Sequence, residues 1–344
     1  MGGVGKLAPL NYPQNRIAEK DFKKMSLGIL TSRIQRGGRG VTLIDGLPMV
    51  FKAGTTRFVD GTRSTDGPGL DFGNAHNTIQ KGVDKCAFED VLFIRPKALG
   101  TYYTESVIVP PTTHRGLSII GLGNSGRGGS VYSPVTWRNS SNSVDDSALE
   151  ARAGHMDIEN INFFSRAAQE LGWAIKAYWN TGSGLNIGSS IVHCGFTTDL
   201  ADHPAAAGLV QSAIRFDSNE GMSVEDCKFV DCRVGIASGS TMNAWKDLLI
   251  KDNIFSGLAA NIAADLFLGD GLNLSLIGNH FGHTVPSHAA GTMQKYVFVI
   301  GGATVEGHAS GNSFASANAG YATDNTTANI KRSMNYYTGG LMTS

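Results

Sequence analysis

The octapeptide MSVEDCKF at 222–229 is the unit against which the rest of the chain can be laid. Its frame is apolar, x, apolar, two small or polar residues, then Asn, Cys, Ser or Ile, x, and an aromatic residue or Val. The frame returns as LLIKDNIF at 248–255 and LSLIGNHF at 274–281, and more loosely as MDIENINF at 156–163, LNIGSSIV at 185–192 and GHASGNSF at 307–314. Two short strands per unit with no helical period predict a parallel β-solenoid, because one coil cannot bury its apolar face without stacking on the next at about 4.8 Å. The expected fold is therefore all-β. Asn253, Asn279 and Asn312 share one slot and are expected to form a structural ladder. Asn tolerates left-handed backbone, which suits the bend between the two strands.

Composition agrees with a tightly wound chain. Of 344 residues 44 are Gly and only 17% are charged, and the Gly have no collagen-like period. Twenty-nine Lys and Arg balance 29 Asp and Glu, so nothing draws the whole chain to nucleic acid or an anionic membrane. No apolar run is long enough for membrane insertion, and the first residues lack the order of a secretion signal. Four cysteines are too few for a disulfide scaffold. Cys194, Cys227 and Cys232 sit in or beside the coils and are expected as buried free thiols.

Residues 1–55 are expected to form an attachment or capping region. Residues 1–16 read as an extended arm carrying Leu7, Leu10 and Tyr12. In 17–35, Ala18, Phe22, Met25 and Ile29 recur at helical spacing with Lys20, Lys23 and Lys24 opposite, and Gly37 and Gly38 stop the pattern. Such a helix either caps the open solenoid end or, with Arg33 and Arg36 adding to its basic patch, docks on an acidic partner.

From 56 to about 316 the chain resembles a known family. Phe58–Val59–Asp60, Thr65–Asp66–Gly67, Thr78–Ile79–Gln80–Lys81, Gly100–Thr101–Tyr102 and Glu105–Ser106–Val107 match the entry segment of right-handed, single-stranded parallel β-helix proteins of the pectate-lyase-like superfold. That family is common among phage tailspikes, other virion proteins and polysaccharide-active enzymes. The resemblance implies the fold and leaves the activity open. Gly121, Gly123 and Gly126 match G-x-G-x-x-G, but loop residues follow rather than a helix, so a nucleotide site is not expected. No cofactor is implied.

In a stacked repeat, residues at one frame position form a column. One outward column reads Glu159, Gly188, Glu225, Lys251, Ile277, Ser310, with Glu225 and Lys251 expected to pair and Glu159 lying two coils from Glu225. The next column reads Asn160, Ser189, Asp226, Asp252, Gly278, Gly311. Asp226 and Asp252 would stack about 4.8 Å apart, near the separation used by retaining glycosidases. Glu159 and Glu225, about 9–10 Å apart, are the next pair, near the upper limit for inverting enzymes. Asp is also a common turn residue, which accounts for the first pair without catalysis. The calcium-binding Asp clusters and basic Arg of pectate lyases and the N-T-D, D-D, G-H-G and R-I-K blocks of polygalacturonases do not occur. Trp173, Tyr178 and Trp179, expected on an excursion at 165–180, are glycan-contact candidates. His280, His283 and His288 are expected as solvated loop histidines, and no metal site is assigned.

Residues 317–344 read as a polar tail, too short for a separate adhesive head. The resemblance and this layout imply a phage structural protein, located in the virion after assembly in the host cytoplasm. It would be a parallel homotrimer by resemblance to spikes, held to other virion proteins by its N-terminus and contacting bacterial surface polysaccharide. The alternative is a polysaccharide depolymerase.

Overall fold

The computed structural model describes residues 33–36, 39–44, 47–50, 54–98, 100–122, 135–139, 146–166, 172–178, 186–199, 212–217, 219–238, 245–256, 264–282, 295–299, 304–315, 329–337 and 340–342. The chain divides into two compact units, Met1–Phe51 and Lys52–Ser344. In the first, Arg33–Arg36, Arg39–Ile44 and Leu47–Val50 form an antiparallel meander. The expected helix over 17–35 is thus corrected at its end, where Arg33 is extended. The arm and stripe residues Leu7, Leu10, Tyr12, Lys20, Phe22, Lys23, Lys24, Met25 and Ile29 lie outside the described residues.

The second unit is a right-handed parallel β-helix with three sheets. Sheet I runs through Thr56–Val59, Val91–Ile94, Ser118–Gly121, Asp157–Glu159, Ser190–Val192, Ser223–Glu225, Trp245–Lys251, Gly271–Ile277, Val305–Ser310 and Asn329–Ser333. Sheet II follows each coil's first corner, as in Asn162–Arg166, Gly195–Asp199, Lys228–Val230, Ile254–Ser256 and His280–Phe281. Sheet III holds Val107–Val109, Ser147–Ala151, Trp173–Tyr178, Ser212–Asp217, Val234–Ser238, Ala264–Leu268 and Lys295–Val299. Residues 329–337 add a coil past position 316, since Ile330 pairs with Gly307 and Tyr337 with Phe314. Gly340–Met342 then folds back antiparallel on Asn335–Tyr337.

The interior is built from columns. Trp137, Phe163, Phe196, Phe229, Phe255, Phe281 and Phe314 stack ring on ring, with centroids 4.6–5.4 Å apart. From Phe163 onward their planes lie within 9° of parallel. Each stacked pair contributes about 0.5–1.5 kcal/mol beyond its area burial. Beside the rings runs the asparagine ladder. Asn253 Nδ2 donates to Asn279 Oδ1, Asn279 Nδ2 to Asn312 Oδ1, and Asn312 Nδ2 to Asn335 Oδ1, at 2.9–3.0 Å. Each ladder residue's backbone N–H reaches the same oxygen as its side chain. The ladder is the expected structure, but its conformational reason is different: these Asn are buried, and the residue before each one takes the left-handed backbone.

Cys227 and Cys194 continue the ladder as thiols. Cys227 Sγ accepts from the Cys194 N–H at 3.4 Å and donates to the carbonyls of Ile191 and Glu225. All four cysteines are free and buried. Burial pushes the Cys86 thiol up to about 12 and raises Cys227 and Cys232 as well.

The entry segment closes on itself. The helix Ile79–Lys85 is capped by Thr78, and its first two N–H groups donate to the Glu105 carboxylate, each at 3.1 Å. Gln80 Oε1 accepts from the Ile108 N–H, and the buried Tyr103 hydroxyl donates to Arg95 O and accepts from Gly61 N–H. Burial opposes ionisation of Asp60, but hydrogen bonds from Thr62 and the Arg95 guanidinium outweigh it and lower its pKa. The motif residues of this segment therefore have structural partners.

Candidate functional site

The corner between sheets I and II must turn the chain within a single residue, which takes left-handed backbone. Asn160, His193, Asp226, Asp252, Gly278, Gly311 and Met334 all have φ between 49° and 66°. Asn, Asp, His and Gly are the residue types that tolerate this region best, so the corner itself accounts for most of the column's composition.

Strand pairing corrects one expected frame. Ile191 pairs with Ile158 and with Val224, and Phe196 with Phe163 and Phe229. The repeat in this coil is therefore 189–196, not 185–192. His193 occupies the corner slot expected for Ser189, and Val192 the outward slot expected for Gly188. Ile187 and Ile191 both fit the apolar slots, and the repeat frame alone favoured the wrong one; the Phe196 ring, in line with Phe163 and Phe229, carried the deciding signal.

The corrected register brings His193 between two sequence candidates. Its Nδ1 lies 3.4 Å from Glu159 Oε1 and its Nε2 3.5 Å from Asp226 Oδ2. Glu159 and Glu225 are two coils apart, with Val192 between them. Lys251 Nζ lies 3.5 Å from Asp252 Oδ2, and this pair replaces the expected one with Glu225. Partly exposed ion pairs of this kind contribute little to stability.

Asp226 and Asp252 do stand in adjacent coils, as the pairing of Glu225 with Lys251 requires. Both line a cleft of about 260 Å³, together with Cys227, Asn253, Ile254, Gly278 and His280. The Asp226 side chain is only 9% exposed, whereas Asp252 is 46% exposed. His280 lies in a sheet II strand rather than a loop, and its Nδ1 is 2.7 Å from Ser313 Oγ. The cleft thus offers two carboxylates in different surroundings beside an imidazole held by a hydroxyl. Such groups accept hydrogen bonds from hydroxyls, and an acid–base pair would use the same atoms.

Trp173 and Tyr178 belong to a sheet III strand, not to an excursion. Arg215 lies over the Trp173 ring at 5.9 Å, so a cation already occupies that aromatic face. Trp179, His283 and His288 lie outside the described residues. Among the described residues, no group of three or more His, Cys, Asp and Glu side chains is placed to hold a metal ion, and no helix is long and apolar enough to cross a membrane.

No protein-family model matches the chain, and no curated protein matches it. Among solved structures, the crystal structure of Escherichia coli YbhC superposes with a TM-score of 0.50 at 10% identity, covering 97% of this chain and 100% of that one. At this identity the likeness is one of fold, and the fold in question is the parallel β-helix.

Proposed function

We propose that this chain is a structural component of a phage virion, a β-helix of the pectate-lyase-like superfold acting as a stiff head- or tail-associated spike, fibre or decoration protein. The observation that carries the reading is the pair of continuous interior ladders. Seven stacked rings and four linked asparagines tie successive coils to one another. Repeats joined this way resist bending and shear between coils, which suits a projecting element. The outward Ser223, Leu249, Ser275 and Ile277 of sheet I are half-buried and small or apolar, which supports a parallel homotrimer joined through this face. The N-terminal unit is the proposed attachment to other virion proteins, and bacterial surface glycans are the proposed outside contact.

A second reading is favoured by the stacking of Asp226 on Asp252 at a cleft: a depolymerase using the pair as acid and nucleophile. Incubation with a panel of bacterial surface polysaccharides separates the two. The structural reading predicts no release of reducing ends. Release that disappears in Asp226→Asn would establish the enzyme instead.

A further inference from the structure

We propose that one water molecule is bound inside the β-helix where sheet III leads into sheet I, bridging the Trp245 indole N–H to the Asn219 amide oxygen. Glu220 pairs with Lys246, so Asn219 and Trp245, one residue earlier on each strand, hold the same position in adjacent coils. Both residues are buried, Asn219 at 3% exposure and Trp245 at 1%. Among the described residues, no protein group makes a hydrogen bond to Trp245 Nε1 or to Asn219 Oδ1, and both atoms are buried. The first can only donate and the second can only accept. Native interiors satisfy such atoms with protein groups or with ordered water, because leaving them unpaired is costly.

Packing holds both side chains in place. The indole lies against Gly271 of the following coil, where a Cβ would stand 1.9 Å from Trp245 Cε2. Phe216 meets the same ring edge-on, with the planes at 79°. Asn219 Nδ2 donates to the Ala177 carbonyl at 3.2 Å and lies 3.4 Å from Met222 Sδ. Turning this amide over would set its oxygen against that carbonyl and lose the bond. Equivalent positions in adjacent coils are about 4.8 Å apart, too far for a direct hydrogen bond. Two bonds of about 2.9 Å meeting at a water's tetrahedral angle span about 4.7 Å. The ligand must accept from one atom and donate to the other, which a hydroxyl group does and a simple ion does not. Between stacked coils, water is the molecule of that kind that fits.

The test is a high-resolution crystal structure of the full chain. One ordered water is expected within about 3.2 Å of both Trp245 Nε1 and Asn219 Oδ1. Trp245→Phe removes the donor and keeps an aromatic ring against Gly271, and its structure is expected to lose the water. Neutron diffraction from crystals of the parent chain in heavy water reads the same site without any substitution, should the variant fail to fold. It is expected to show one deuteron of the water directed at Asn219 Oδ1 and the indole N–D directed at the water oxygen. A direct hydrogen bond between Trp245 and Asn219, no density between the two atoms, or a water that stays at full occupancy in Trp245→Phe would overturn the proposal. The site is internal, so its presence does not depend on the function proposed above.

Discussion

Asn279 donates from Nδ2 to Oδ1 of Asn312 at 3.0 Å, and its backbone N–H reaches the same oxygen at 2.9 Å. One amide thus satisfies its neighbour's backbone and side chain together, inside a corner that water does not reach. Replacing Asn279 with Ala leaves the Asn253 backbone N–H and the Ile250 carbonyl without these partners. Each orphaned buried group costs about 1–3 kcal/mol, so Asn279→Ala is expected to lose about 3 kcal/mol or more in urea unfolding. A loss below about 0.5 kcal/mol would mean that the ladder does not hold the coils.

The thiol end of the ladder predicts the opposite sign. Cys227 Sγ meets the carbonyl of Ile191 and that of Glu225, two residues back, as Asn279 Nδ2 meets those of Ile250 and Ile277. Cys227→Asn should therefore extend the amide ladder by one coil and raise stability by about 1 kcal/mol, whereas Cys227→Ala should lower it by a similar amount. Thermal unfolding of the two variants beside the parent chain checks the pair. Equal destabilisation by both would show that this corner requires sulfur.

Asp265 predicts a pH dependence. Burial raises its carboxyl well above the ordinary carboxylate range. The folded chain therefore holds a proton that the unfolded chain releases above about pH 4, and stability falls as pH rises through that window towards the folded value. Asp265→Asn removes this liability. The advantage of the variant in unfolding midpoint is expected to be small near pH 4 and to widen towards neutral pH. Parallel profiles for the two proteins would contradict the assignment.

The fold was legible in the sequence because the closing Phe of each frame has one place to go, into the ring stack. Phe229, Phe255 and Phe281 fixed their coils correctly, and Asn253, Asn279 and Asn312 marked the ladder. The site was only half legible. A four-residue slip at 185–192 replaced His193 with Ser189, and so hid the imidazole between Glu159 and Asp226. The final coil was not legible because Arg332 interrupts the second apolar slot, although Ile330, Asn335 and Tyr337 keep the other marks of the repeat. The antiparallel strands Arg33–Arg36, Arg39–Ile44 and Leu47–Val50 were not legible, because the apolar stripe of Ala18, Phe22, Met25 and Ile29 before them has helical spacing. The difference in exposure between Asp226 and Asp252 depends on neighbouring coils, and no spacing in one chain reports it.

The most direct test of the account is quantitative mass spectrometry of purified virus particles from the source of this sequence. A structural β-helix predicts peptides from 56–337 in every preparation, at a fixed ratio to the main structural proteins and retained through density-gradient purification. Absence of these peptides from particles, with the intact chain free in the lysate and releasing reducing ends from a polysaccharide, would contradict it.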